Sequence, residues 1–114
     1  MYERCCGLLH EGKGPAPTAE ALMRSRYSAY VRGDEAYLLA TWHPSTRPAR
    51  LDLDPAMRWT GLEIVSTAHG QLLDQTGTVE FRAHYERDGE PGVLVEHSRF
   101  TRVDARWVYV EALA

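Results

Sequence analysis

The chain has little cysteine, little excess charge and no long hydrophobic run. Its 114 residues hold two cysteines, adjacent at Cys5 and Cys6. Vicinal cysteines rarely bridge each other, and a cytosolic setting disfavours disulfides. The net charge is −3 with histidine neutral. Together with arginines that are scattered rather than clustered among aromatics, this argues against a nucleic-acid binder driven by phosphate contacts. The apolar runs are a few residues long, too short to span a bilayer. The N-terminus carries no apolar h-region, so no signal peptide is expected. A cytoplasmic protein with no membrane partner is the expectation. Internal repeats, a P-loop, a dinucleotide-binding glycine pattern and a Ser/His/Asp order are all missing.

What is present reads as globular. Hydrophobic residues make up 44% and charged residues 25%, well away from the composition of disordered chains. A chain of this length forms one domain and buries roughly two thirds of its unfolded surface, enough for one core and one cleft.

Residues 1–17 read as a separate piece. Cys5, Cys6 and His10 are the raw material of a zinc site. A closed tetrahedral site needs four ligands, and this stretch offers three at best. No metal or other cofactor is therefore expected in this chain, and zinc enters only if another chain completes the site. Gly12, Gly14, Pro15 and Pro17 make a joint before the first helix.

From residue 18 the pattern turns helical. Thr18 is an N-cap and Glu20 suits the first turn. Leu22, Met23, Tyr27, Ala29, Tyr30 and Val31 follow at helical spacing, and Gly33 is a stop. Leu22, Arg26, Ala29 and Gly33 share one strip, with Met23, Tyr27 and Tyr30 beside it. Arg26 thus lies among apolar positions, where a guanidinium demands a partner. Arg24 and Ser28 point toward solvent. Asp34 caps a second helix expected from Glu35 to Trp42, ended by Pro44. His43 stands at its end, on a candidate pocket rim made by residues 42–45. Asp54 and Pro55 predict a short helical turn over 55–58. Asp52 and Asp54 read as solvated turn residues, and Trp59 begins the sheet.

The rest alternates as strands. Leu62 to Leu73 is one, with Gly70 as a bulge or bend. Thr78 to Glu86 is a second, with Val79, Phe81, Ala83 and Tyr85 on one face and Glu80, Arg82, His84 and Glu86 on the other. A loop over 88–92 leads to Val93–Val103, and a tight turn near Asp104 leads to Trp107–Ala112. Short loops imply an antiparallel sheet, and helices before strands imply an α+β fold. If Phe100 points to the core, Glu96 and Ser98 share its face. An inward glutamate needs a counter-charge, and Arg26 is the candidate. The expectation is an Arg26–Glu96 pair in a cleft with Tyr27, Tyr30, Ser98 and Tyr109 around it. Such a pair serves equally as a structural clamp between helix and sheet.

Four stretches carry a resemblance. Ala21–Tyr30, Tyr37–Thr46, Trp59–Leu62 and Glu96–Phe100 make the chain similar to the YchJ-like family (UPF0225) of bacterial proteins. The resemblance implies an NTF2-like domain over 18–114, with helices packed on a strongly curved antiparallel sheet to form an open cone. It also implies that residues 1–17 are the remnant of a zinc motif related to the C-terminus of SecA (SEC-C). Residues 2–7 match its second half, and the upstream Cys-x-Cys is missing. The resemblance brings no activity with it.

Three functions compete. The first is a cone that binds a small molecule in a cavity of a few hundred cubic ångströms, lined by Arg26, Tyr27, Tyr30, Trp42, Ser98 and Tyr109. The second is a small acid–base enzyme using Glu96 or His43. The third is a protein-interaction module, with a homodimer or a protein partner. Its outer face bearing Glu80, Arg82, His84 and Glu86 is charged, which weakens it as a hydrophobic interface.

Overall fold

The structure, a computed structural model, describes residues 16–51 and 53–113. Cys5, Cys6, His10 and Asp52 lie outside the described residues, and so do the expectations resting on them. Within the described residues two helices precede four strands, and the strands form one antiparallel sheet in the order β1-β2-β3-β4.

Helix α1 spans Ala19–Arg32. Thr18 is extended, and its Oγ1 accepts from the Ala21 N–H at 3.1 Å. Gly33 takes φ 70°, and the N–H groups of Gly33 and Asp34 reach the carbonyls of Tyr30 and Ala29, closing the helix as a left-handed glycine cap does. Leu22, Met23, Arg26 and Ala29 are buried as expected. Ser25 is buried too, its Oγ bonded to Leu22 O and to Tyr37 Oη. Val31, read as apolar at helical spacing, is 52% exposed. It lies one step past the buried strip, on the solvent side.

Helix α2 spans Glu35–Ala40, capped by Asp34. It stops before Trp42, earlier than the sequence predicts. The reason is tertiary. Thr41 O accepts from Tyr109 N at 2.8 Å, and His43 N donates to Tyr109 O at 2.7 Å. Residues 41–43 thus pair in parallel with the last strand, and that pairing outweighs a further half-turn of helix. Pro44 has no helix left to end.

Strand β1 spans Met57–His69, β2 Thr76–Arg87, β3 Glu90–Val103 and β4 Arg106–Ala112. The expected helical turn at 55–58 is a non-helical turn. Asp54 Oδ1 accepts from Ala56 N–H and Asp54 O from Met57 N–H, after which the strand begins, two residues before Trp59. Gly70 is no bulge. It ends β1 in a left-handed turn with φ 75°, and Leu72 and Leu73 lie exposed in the loop beyond. The register shifts fall instead between Trp59 and Gly61 and between Ile64 and Ser66. Each adds a residue to β1 and so bends that side of the sheet. Asp88 and Gly89 alone turn the chain into β3, with Arg87 facing Glu90, so Pro91 and Gly92 belong to the strand.

Helix α1 covers the sheet face that carries Val79, Phe81, Ala83 and Phe100, all buried. That confirms the expected inward set on β2 and the direction of Phe100 on β3. The N-terminus of α1 is held by Ala19 N–H to Gly70 O at 2.9 Å and by Trp107 Nε1–H to Pro17 O at 3.3 Å. Gly77 permits the first contact. A Cβ there would meet the Gly70 Cα at 2.5 Å. Among the described residues no helix is long and apolar enough to cross a membrane.

The β3–β4 turn carries strain. Asp104 and Ala105 both have positive φ, at 51° and 66°, with Val103 paired to Arg106. This two-residue geometry favours Asp-Gly over Asp-Ala. Ala105→Gly should stabilise the domain by about 1 kcal/mol, raising Tm by roughly 4 °C or more. A calorimetric scan that finds Tm lowered would show that the turn is not strained at Ala105.

Candidate functional site

Arg26 sits at the centre of the space between α1 and the sheet. It is 2% exposed. Helical spacing aims it at the end of α2, where Nη1 donates to Leu38 O at 2.8 Å and to Thr41 Oγ1 at 2.7 Å. Thr41 Oγ1 passes its own proton to Tyr37 O at 2.8 Å. The guanidinium carbon lies 5.1 Å from the centre of the Trp42 ring and 4.8 Å from that of Tyr109. Both rings are themselves edge-to-face, 5.0 Å apart. The charge is therefore received by a carbonyl, a hydroxyl and two π faces. Burial lowers the Arg26 pKa from its ordinary value, opposed by Tyr30, Tyr109, Tyr37 and Glu96.

The expected Arg26–Glu96 ion pair does not form. No carboxylate lies within ion-pair distance of Arg26 among the described residues. Glu96 Oε2 instead accepts from Ser98 Oγ and, at 3.3 Å, from Tyr109 Oη. The physical reason lies in the backbone near Arg26. Leu38 O and Thr41 come within reach of Nη1 first, while Glu96 is held on β3 by its own two donors.

Between them is a cavity of about 160 Å³, smaller than the few hundred expected. Arg26, Tyr27, Tyr30, Trp42, Glu96 and Tyr109 line it. Ser98 is fully buried behind the wall and touches the site only through Glu96. His43 does not reach the cavity; its Nδ1 faces the Ser45 N–H and Oγ. The sequence reading missed Met23, Trp59, Phe81, Ala83 and Leu94. The signal for Phe81 and Ala83 was present, since their alternation already placed them inward. Trp59 was visible only as the start of a strand. Its ring meets Tyr27 at 6.2 Å, Tyr30 at 6.0 Å and Tyr85 at 5.7 Å, tilted or edge-on in each case.

Trp42 Nε1 is buried with no hydrogen-bond partner among the described residues. A buried donor left unmatched costs about 1–3 kcal/mol, and such groups mark places where another acceptor belongs. No cluster of three or more histidine, cysteine, aspartate or glutamate side chains suited to a metal occurs among the described residues.

Three tyrosines at the site have raised pKa values, each chiefly through burial. Tyr109 rises furthest, with the Glu96 charge and hydrogen bond adding to burial. Tyr30 rises against the opposing Arg26 charge, and Tyr27 against a hydrogen bond from Gly61.

Comparison with known proteins gives consistent matches. The family model described as "YchJ, middle NTF2-like domain" matches residues 18–112. A UPF0225 protein of Streptomyces coelicolor is 64% identical over 110 residues, covering 96% of this chain and 86% of that protein. A UPF0225 protein of Streptomyces avermitilis is 59% identical over 111 residues, covering 97% and 76%. The solution structure of a SEC-C motif containing protein from Rhodopseudomonas palustris superposes with a TM-score of 0.88 at 32% identity, covering 100% of this chain and 91% of that one. The crystal structure of a SEC-C motif containing protein from Psychrobacter arcticus gives 0.81 at 29% identity, covering 97% and 71%.

Two outcomes follow from this geometry. Without Arg26 the Thr41 hydroxyl can turn its proton from Tyr37 O, which keeps the Thr41 N–H at 3.0 Å, to Leu38 O at 3.3 Å, so Arg26→Met orphans neither. Its effect on stability should stay within about 1 kcal/mol or be favourable, whereas Arg26→Ala should cost about 2–4 kcal/mol through the void it leaves. Urea unfolding of both variants decides it, and a large loss in Arg26→Met would make the arginine a structural clamp. The raised tyrosines set a pH dependence. Unfolded tyrosine ionises near pH 10, while these stay neutral in the fold. Their contribution is complete below about pH 10 and is lost as pH rises toward the folded values. Tm should fall above about pH 10, and less steeply in Tyr109→Phe. Equal slopes in both proteins would remove Tyr109 as a cause.

Proposed function

The chain belongs to the YchJ-like family (UPF0225), and we propose that its NTF2-like domain binds a small molecule in the cavity between α1 and the sheet. The observation that carries this reading is the buried Arg26 charge on the cavity wall, with no carboxylate in ion-pair contact among the described residues. A carboxylate against the guanidinium would neutralise it in place. Here the charge is left available to a ligand, beside apolar and aromatic walls that would exclude water from it.

Size limits the ligand. An apolar cavity of about 150 Å³ holds a benzene-sized molecule, so about 160 Å³ suits one six-membered ring with small substituents. Nucleotides and lipids exceed it. The acid–base alternative rests on Glu96 alone, because His43 lies off the cavity wall. Glu96 has an oxygen, Oε1, outside its two bonds, but no second carboxylate or histidine lines the cavity among the described residues.

Fragment screening by ¹H–¹⁵N NMR tests the proposal. Single-ring fragments should move the indole N–H resonances of Trp42 and Trp59. The Trp107 indole, bonded to Pro17 O away from the cavity, should stay in place. A library that moves no cavity resonance at millimolar concentration would remove the binding function.

A further inference from the structure

Resting on the binding reading above, we infer that the ligand is a neutral planar ring carrying a carbonyl acceptor next to an N–H donor, that is, a cyclic amide. Two observations lead there. The donor side of the cavity is Arg26, whose Nη1 is tied to Leu38 O and Thr41 Oγ1 and whose guanidinium also meets the Tyr30 hydroxyl. An acceptor oxygen placed there would meet the guanidinium. The acceptor side is Glu96. Its Oε2 takes the protons of Ser98 and Tyr109, while Oε1 accepts none among the described residues. A ligand N–H fits it.

The charges decide between ligand classes. Arg26 and Glu96 line the same cavity, so the site already holds one positive and one negative group. An anionic ring would satisfy Arg26 and meet repulsion from Glu96. A cationic ring would do the reverse. A neutral ring with both an acceptor and a donor satisfies both without adding a charge to a buried site. The walls fit its faces. Tyr27, Tyr30 and Trp59 stand mutually tilted, which presents ring faces and edges to a flat guest.

The probes are 2-pyridone, benzoate, benzylamine and toluene, titrated separately into the full chain and followed at the Trp42 and Trp107 indole N–H resonances. The expected result is that 2-pyridone shifts Trp42 and not Trp107, and binds at least about tenfold more tightly than the other three. Arg26→Met and Glu96→Gln should each weaken 2-pyridone by about tenfold or more. Comparison of the four probes on the unsubstituted chain stands even if one variant fails to fold. If benzoate, benzylamine or toluene binds as tightly as 2-pyridone, the ligand class is wrong and the binding cavity survives. Unchanged affinity in Glu96→Gln also overturns the class. If none of the four moves Trp42, both the class and the binding reading fall.

Discussion

The bond from Arg26 Nη1 to the carbonyl of Leu38 and the hydroxyl of Thr41 joins the three parts of this domain. It runs from the middle of α1 to the last turn of α2. Thr41 and His43 then pair with Tyr109 on β4, so one guanidinium connects helix, helix and sheet edge. The same pairing answers the outward N–H and C=O of Tyr109 on the edge strand β4, groups an edge would otherwise leave unpaired. Thr46 Oγ1 adds a bond to Val110 O at 2.7 Å, and Arg47 reaches back to Trp42 O. The segment after α2 is therefore held along its length, and the indole of Trp42 is held with it against Arg26.

That constraint explains why a space remains. A side chain tied at its tip cannot collapse onto the sheet, and Trp42 and Tyr109 flank it at fixed distances. On the opposite wall the two register shifts in β1 bend the strand that carries Trp59. Gly70 and Gly77 let that end of β1 and β2 close onto the start of α1. The helix is thus fixed at its first residue by the sheet and at its middle by Arg26. The side chains of Met23, between these two points, and Tyr27, next after Arg26, meet the cavity rather than filling it.

Much of this was legible in the sequence. The caps of α1, the inward alternation of β2 and the burial of Arg26 follow from local rules, because each depends on residues within one element. The direction of Glu96 followed from Phe100 by parity along β3. Errors came where the answer lay in another element. The end of α2 is set by β4, fifty and more residues away. The partner of Arg26 is a main-chain carbonyl, which carries no residue signature at all. Pairing it with Glu96 assumed that a buried charge must find a carboxylate, whereas a carbonyl, a hydroxyl and two aromatic faces suffice to hold it. Trp59 reads as a strand start because its role depends on tyrosines of α1.

The absent ion pair bears directly on what the domain is for. Moving Glu96 against Arg26 would neutralise a buried charge but take the acceptor from Ser98 and Tyr109, which instead hold the carboxyl on β3. Ser98 is itself fully buried, so a polar side chain occupies core space where an apolar one would pack as well. A fold optimised only for stability has no use for a serine that restrains a glutamate away from its natural partner. The two charges thus stay unpaired with each other on the walls of one aromatic-lined cavity, and the proposed binding rests on that preorganisation.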